Sequence, residues 1–197
     1  MDIKSKKKEM ISNMIKQNIV SIVISLLSEG KPITMDNVAA ACGVSKGTVY
    51  NYFEDRKSLL NHVHKEIITP IVMDRDNLFM SDISPLQKLR EFIKSLKATA
   101  DNTSVYFRFI KNERTVAEEM EDHFNLLTKP LANVIKEGIA KGELIEMDPY
   151  VMAEMLSGGW IGIFHLQDIK HEDLPEYQDI EKEFNNVLDI FVSKGDK

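Results

Sequence analysis

The sequence predicts an all-α protein of about nine helices, with an N-terminal head of three helices and a C-terminal helical body. Apolar residues recur every three or four positions along most of the 197-residue chain, which is the spacing of one helix face. No stretch alternates between apolar and polar residues for long enough to predict a strand. Glycine, proline and N-capping residues divide the apolar pattern into separate helices.

The composition indicates a globular protein of the cytoplasm. Hydrophobic residues make up 43% of the chain, which is enough to form a packed core. The single cysteine, Cys42, excludes a disulfide framework within the chain and is expected to be a small buried hydrophobe. The charged start of the chain carries no secretion signal, and the apolar run Ile19–Leu27 is too short to span a bilayer. We therefore expect no contact with a membrane.

Charge is distributed unevenly along the chain. From Met1 to Glu66, ten Lys or Arg side chains oppose seven Asp or Glu side chains, whereas the remainder has fifteen against twenty-four. A basic N-terminal part on an acidic body fits a DNA-binding head attached to a body that repels DNA. The first helix is expected from Ser5 to Glu29, and four lysines lie at its start. They form either a basic arm along DNA or a solvated tail. These are Lys4, Lys6, Lys7 and Lys8.

The stretch from Ile33 to Phe53 has the spacing of a helix-turn-helix. Thr34 and Ser45 are N-cap candidates for two short helices, and Gly43 stands between them, where positive φ is needed. Val49 of the second helix can then pack back against the first. The second helix keeps hydroxyl, amide and cationic side chains, which are the groups that bond phosphates and base edges. An ordinary pair of surface helices is the alternative interpretation.

The remaining helices begin and end at recognisable residues. Asp55 can cap a fourth helix from about Arg56, and we expect Pro70 to stop or kink it. Pro70 either transmits movements of the body to the head or is only a structural kink. Further helices are expected at 85–100, 104–112, 116–141, 149–168 and 176–193, with a break at 101–103 and a kink at Pro130.

The helix-turn-helix stretch resembles the DNA-binding domain of TetR-family transcriptional regulators. The residues that carry the resemblance are Thr34, Val38, Ala39, Gly43, Val44, Ser45, Lys46, Gly47, Thr48, Tyr50, Asn51, Tyr52, Phe53, Leu59 and Leu60. One departure is Arg56, because the family usually has Lys at the opening of the next helix. Arg keeps the positive charge, but it binds phosphate as a planar fork rather than as a point charge.

The resemblance implies a DNA-binding domain at residues 1–54 and a ligand-binding and dimerisation domain at 55–197. It also implies a homodimer whose two recognition helices, about 34–36 Å apart, read successive major grooves of a palindromic operator in double-stranded DNA. The function that this favours is a repressor released by a small hydrophobic or amphipathic ligand. The alternative is a DNA-bound scaffold that recruits a partner without such a ligand.

Three groups of candidate site residues follow. The DNA-binding candidates are Thr34, Ser45, Lys46, Gly47, Thr48, Tyr50, Asn51, Tyr52, Arg56 and Lys57. Apolar and aromatic residues at helical spacing are typical of a core, and the alternative is that they line a ligand cavity. The ligand-binding candidates are Tyr106, Phe107, Phe109, Met120, Phe124, Met155, Trp160, Phe164 and His165. The dimer-interface candidates are Met152, Leu156, Gly159, Ile163, Phe184, Val187, Leu188 and Phe191.

No feature of the sequence indicates an enzyme, a metal site or a cofactor. It contains no glycine-rich phosphate loop, no GxSxG turn and no HExxH segment, and its acidic and His residues are scattered along helices. We therefore expect no catalytic residues.

Overall fold

The computed structural model describes residues 3–111, 113–167 and 177–192. It contains helices α1 (Ile3–Ser28), α2 (Met35–Cys42), α3 (Lys46–Tyr50), α4 (Arg56–Met80), α5 (Pro85–Lys111), α6 (Val116–His123), α7 (Lys129–Ala140), α8 (Pro149–Gln167) and α9 (Tyr177–Ile190), with a π-helical turn at Phe124–Thr128. Among the described residues no strand forms, and Leu144 and Val192 make one isolated antiparallel bridge. The predicted all-α fold is confirmed.

The chain folds into two compact units. Unit 1 comprises Met1–Ile71 and Ser104–Asn112, and unit 2 comprises Val72–Thr103 and Glu113–Lys197. Helices α4 and α5 each contribute residues to both units. The predicted domain bounds, 1–54 and 55–197, stay a prediction.

The core of unit 1 joins the head helices to the first part of α4 and the last part of α5. Its buried apolar side chains are Ile19, Val20, Val23, Leu26, Ile33, Met35, Val38, Ala39, Val49, Phe53, Leu59, Leu60, Val63, Tyr106 and Ile110. Cys42 packs partly buried against this core, and burial raises the pKa of its thiol. A raised pKa leaves the thiol protonated at neutral pH, which fits the expected role of Cys42 as a small hydrophobe.

The core of unit 2 is formed by α5, α7, α8 and α9. Its buried apolar side chains are Leu89, Phe92, Ile93, Leu131, Ala132, Val134, Ile135, Leu144, Met152, Ala153, Leu156, Trp160, Ile180, Phe184, Leu188 and Phe191. Helices α8 and α9 approach closely at Gly159, where an added Cβ would lie 3.5 Å from the Phe184 ring. The glycine therefore makes room for an aromatic side chain of the same chain.

Helix α4 continues through Pro70, so of the two expected outcomes, a stop or a kink, the stop does not occur. A proline inside a helix removes one hydrogen bond and costs about 3 kcal/mol. Apolar contacts on both sides offset that cost. Leu59 and Leu60 are buried in the core of unit 1, and Leu78 and Phe79 pack against the core of unit 2.

Helix α5 is also continuous, so the expected break at 101–103 is wrong. Polar residues of this kind often end helices because their side chains compete for backbone groups. Here the Thr99 hydroxyl donates to the Ser95 carbonyl, and the Thr103 hydroxyl donates to the Thr99 carbonyl, one turn back in each case. These bonds satisfy the hydroxyls within the helix instead of interrupting it.

The helix expected at 116–141 is interrupted by the π-helical turn just before Pro130. Proline has no N–H, so the carbonyl of Leu126, four residues earlier, cannot accept its usual helical bond. The guanidinium of Arg75 in α4 donates to this carbonyl instead. Arg75 is nearly buried and also pairs with Asp76 at 2.5 Å. A side chain from another helix therefore completes the hydrogen bonding that the proline leaves open.

We predict that Arg75→Met lowers the free energy of unfolding by about 1–3 kcal/mol, because the Leu126 carbonyl loses its donor. Urea unfolding followed by circular dichroism measures this loss. The matched test is the same substitution in a Pro130→Ala background, where the restored amide can donate to Leu126. Arg75→Met should cost less there, and an equal cost in both backgrounds would contradict this account.

Helix α1 is more apolar than the sequence pattern indicated. It contains an 18-residue window of mean hydropathy 1.4, so by length and composition it could cross a membrane. The apolar segment therefore extends beyond the run Ile19–Leu27, on which the expectation of no membrane contact was based. The core helix of a soluble protein and a signal sequence near an N-terminus both pass the same test. Of this window 22% is buried, and Ile19, Val23 and Leu26 of α1 lie in the core of unit 1.

Candidate nucleic-acid interface

The turn between α2 and α3 forms through local hydrogen bonds. The Thr34 hydroxyl accepts from the amide of Asn37 at 3.1 Å and caps α2. At the other end, Gly43 has φ of 67°, and the amide of Val44 donates to Ala39 at 3.0 Å. A residue with a side chain is strained at this φ, so glycine permits the sharp exit from α2. The predicted N-cap and glycine turn are confirmed.

Helix α3 is short and is held by its own cap and by one buried side chain. The Ser45 hydroxyl accepts from the amide of Thr48 at 3.1 Å. Val49 is fully buried in the same core as Val38 and Ala39 of α2. This contact fixes how α3 lies on α2.

The polar candidates of α3 lie on its accessible side. Ser45, Lys46, Gly47, Tyr50 and Asn51 are exposed. Thr48 and Tyr52 are half-buried, and the hydroxyls of Ser45 and Thr48 lie 2.8 Å apart. Thr34, at the start of α2, is also exposed. The helix-turn-helix therefore presents donors, acceptors and one cation together at the N-terminal end of α3.

An ion pair between Lys46 and Asp36 was not anticipated. The Lys46 ammonium lies 2.8 Å from the carboxylate of Asp36 in α2. The hydrogen bond and the charge of Asp36 raise the pKa of Lys46. Both side chains are exposed, so the pair is weak and can exchange partners. The ten-residue separation crosses the turn, and therefore no helical spacing pattern could have revealed it.

The start of α4 is capped as predicted. The Asp55 carboxylate accepts from the amide of Ser58 at 2.6 Å, and the Ser58 hydroxyl accepts from the amide of Asp55 at 3.1 Å. The Nε of Arg56 donates to the carbonyl of Ile33 at 2.6 Å. This bond connects the first residue of α4 to the segment just before α2. Lys57, the next cation, is exposed.

The ligand-binding candidates lie in different surroundings. Tyr106, Phe107 and Phe109 pack in or against the core of unit 1, and the Tyr106 hydroxyl lies 2.8 Å from Nδ1 of His64. In unit 2, Trp160 is buried, whereas the other described candidates of that unit are exposed; these are Met120, Phe124 and Met155. The side chains of Phe164 and His165 lie outside the described part. Where a ligand binds therefore stays a prediction.

The dimer-interface candidates divide between the core and the surface. Five of the eight are buried in the core of their own chain: Met152, Leu156, Phe184, Leu188 and Phe191. Ile163 packs against that core, while Val187 and Gly159 are accessible. These five residues are therefore core residues of one chain and are not available to a second copy. Their apolar periodicity marks the faces of α8 and α9 that point into the core of the same chain. The exposed apolar side chains that the structure describes on these helices include Val151, Met155, Val187 and Ile190.

The head of the chain contains a helix-turn-helix of the kind found in DNA-binding regulators. Residues 31–63 match the family model for bacterial regulatory proteins of the tetR family. The predicted resemblance to TetR-family transcriptional regulators is thereby confirmed. A comparison with curated protein sequences finds no match.

Solved structures with the same fold cover almost the whole chain. SmeT, the repressor of the Stenotrophomonas maltophilia multidrug efflux pump SmeDEF, has a TM-score of 0.73 and 18% identity, and the alignment covers 91% of each chain. The SmeT–triclosan complex has a TM-score of 0.75 and 16% sequence identity, and the alignment covers 91% of this chain and 92% of that chain. A TetR-family regulator from Agrobacterium tumefaciens has a TM-score of 0.72 and 17% sequence identity, and the alignment covers 92% of this chain and 100% of that chain.

Proposed function

We propose that this protein is a dimeric repressor that binds a palindromic operator and leaves it when a small molecule binds the C-terminal domain. The observation that carries the proposal is the α2–turn–α3 arrangement. Val49 holds α3 against α2, and the polar side chains at the start of α3 remain accessible. A recognition helix needs this arrangement, because its N-terminal residues must reach base edges in the major groove.

The candidate residues divide into two roles. Thr34, Tyr50, Tyr52, Arg56 and Lys57 hold phosphates, and Ser45, Lys46, Thr48 and Asn51 lie nearest to base edges. Support comes from the caps of α2 and α4, which place Thr34 and Lys57 at helix N-termini where backbone dipoles favour anions. Hydroxyl, amide and ammonium groups in the second set can donate to base acceptors.

The proposed dimer uses the outer faces of α8 and α9. Val151, Met155, Val187 and Ile190 are exposed on these two helices, which pack against each other at Gly159. Among the residues that the structure describes, an added Cβ at Gly162 would meet nothing within 4 Å, so their packing does not require a glycine at this position. A glycine inside a helix costs about 1 kcal/mol relative to alanine, and close approach of a partner helix would offset the cost.

Release from the operator requires a ligand with different affinities for the DNA-binding and the released states. The SmeT–triclosan complex supports this part of the proposal, since a protein of the same fold binds a small molecule. In the proposed mechanism, ligand binding favours a dimer whose heads are wrongly spaced for two half-sites one helical turn apart.

Substitutions of the two residues in the Lys46–Asp36 ion pair are expected to change operator affinity in opposite directions. Lys46→Ala should weaken operator binding and either relax base preference or reduce the salt slope by about one. Asp36→Asn removes a negative charge beside the recognition helix and releases Lys46, so it should strengthen binding. Fluorescence anisotropy with operator DNA at several salt concentrations measures both. If both variants bind like the wild type, Lys46 lies away from DNA.

DNA selection from a random pool with the purified full chain tests the whole proposal. We expect a palindrome whose half-sites are about one helical turn apart. Binding to the selected sequence at two salt concentrations then separates specific from electrostatic binding. Recovery of no sequence, with binding lost at moderate salt, would refute operator recognition and favour the scaffold alternative.

A further inference from the structure

We propose that the first part of α1, residues 3–17, is a docking surface for an anionic lipid bilayer, on which the helix lies without crossing it. A row of exposed apolar side chains and the lysines beside it carry the proposal. The row consists of Ile3, Met10 and Met14 and is called the apolar row below. The inference does not depend on the proposed function, because none of these three residues is a candidate for binding DNA, ligand or a second copy.

The first part of α1 extends beyond the packed core of unit 1. Every residue from 3 to 11 is exposed. In the apolar row, Ile3 is 84% exposed, Met10 62% and Met14 63%. Of the apolar 18-residue window in this helix, 22% is buried. The helix therefore has more apolar surface than its own core uses.

The apolar row lies on one side of α1. Its members are seven and four residues apart, so at about 100° per residue their side chains fall within about 40° of one another. Ile19, Val23 and Leu26, which α1 buries in the core of unit 1, project from the opposite side. The row therefore faces away from the core to which the helix belongs.

The charge around the apolar row is strongly positive. Residues 3–18 contain five lysines and one acidic residue, Glu9. By the same helical geometry, Lys6 and Lys7 border the row on its two sides, and Glu9 lies about 100° away from Met10. The long stem of a lysine lets its ammonium group reach lipid headgroups while apolar neighbours enter the lipid.

An anionic bilayer explains both the lysines and the apolar row, whereas DNA explains only the lysines. Phosphates of DNA would bind the ammonium groups and leave the apolar row against a charged backbone or water. A bilayer offers anionic headgroups to the lysines and, a few Å deeper, an acyl boundary to Ile3, Met10 and Met14. Because lipid adapts to the convex surface of a single helix, the partner needs no preformed groove.

The packing of α1 restricts the helix to the bilayer surface. Ile19, Val23 and Leu26 are held in the core of unit 1, so the helix cannot cross a bilayer while the head is folded. A helix that lies on the surface keeps these contacts and exposes only its opposite side to lipid. The expectation of no membrane contact concerned a secretion signal and a span, and surface docking requires neither.

Flotation of the purified full-length protein with lipid vesicles tests the proposal. One set of vesicles contains phosphatidylcholine alone, and the other contains phosphatidylglycerol as about a third of the lipid. We expect partition into the anionic set to be at least about tenfold stronger and to weaken as NaCl rises from about 50 to 500 mM. Equal partition into both sets would overturn the proposal. Binding to neither set would also overturn it and would leave an acidic protein as the partner to seek.

A variant that combines Met10→Gln and Met14→Gln tests the apolar row. It should lower partition into the anionic vesicles about tenfold or more, because two side chains no longer transfer apolar area to lipid. The matched control combines Met73→Gln and Met80→Gln, two methionines of α4 that are also exposed and seven residues apart. The control should partition like the wild type. A Met10, Met14 variant that also partitions like the wild type would show that the apolar row does not enter lipid and would refute the proposal.

A variant that combines Lys6→Gln and Lys7→Gln tests the charges beside the row. It should lower partition into the anionic vesicles about tenfold or more and hardly change partition into phosphatidylcholine. Lys31→Gln with Lys94→Gln is the matched control, since it removes the same charge from lysines exposed elsewhere. Equal losses in the two variants would mean that net charge, not this face of α1, determines binding. Vesicle binding needs no DNA, so failure to select an operator would refute the proposed function and leave this result standing.

Discussion

Replacing Val49 by Asp is expected to lower the free energy of unfolding by about 3–5 kcal/mol and to abolish operator binding. Val49 is 0% exposed, and its neighbours in the core of unit 1 are apolar. An aspartate there would place a carboxylate among buried apolar side chains, so it must stay protonated or disrupt the contact between α2 and α3. Urea unfolding followed by circular dichroism measures the loss of stability.

Val44→Asp is the matched control, five residues earlier in the same motif. Val44 is 39% exposed, so its replacement keeps the new carboxylate in water and should change stability by no more than about 0.5 kcal/mol. Stability is the readout for this pair, because a carboxylate at either position would also repel DNA. Equal destabilisation by the two substitutions would show that α3 does not pack on α2 through Val49.

The features predicted from sequence were those that depend on neighbouring residues. Thr34, Ser45 and Asp55 cap their helices because each hydroxyl or carboxylate reaches an amide three residues later. Gly43 adopts positive φ because the chain must turn within the same few residues. These interactions form between residues that are close in sequence. The sequence of this region is therefore sufficient to predict them.

Interactions between distant segments could not be predicted in this way. The bond from Arg56 to Ile33 spans 23 positions, and the bond from Arg75 to Leu126 spans 51. Pro70 illustrates the same limit, since its local preference for ending a helix is outweighed by apolar contacts in both units. Local preferences decide where helices can begin and end, but packing decides whether they do.

Apolar periodicity also could not separate the core of one chain from an interface between two chains. Met152 and Leu188 have the helical spacing of an apolar face, and both are fully buried in their own unit. Val187 has the helical spacing of the same apolar face of α9 and is nevertheless exposed, as is Ile190, which stands outside that spacing. Only the packing of α9 within the chain shows which residues remain for a second copy.

Ile190→Glu is expected to dissociate the proposed dimer while leaving the chain folded. Ile190 is 71% exposed, so the substitution costs little within one chain. In a two-fold symmetric interface each dimer would bury two new carboxylates, because the same patch occurs on both subunits. We expect the dimer dissociation constant to rise at least about 100-fold. Analytical ultracentrifugation over a range of protein concentrations measures this change.

Operator binding should fall together with dimerisation, because a single head contacts only one half-site. The control is Met80→Glu at the end of α4, where the side chain is 84% exposed and outside α8 and α9. It introduces the same charge and should leave both the dimer and operator affinity unchanged. A dimeric Ile190→Glu variant would mean that the two copies meet through another surface. A monomeric variant with full operator affinity would show that one head suffices for recognition.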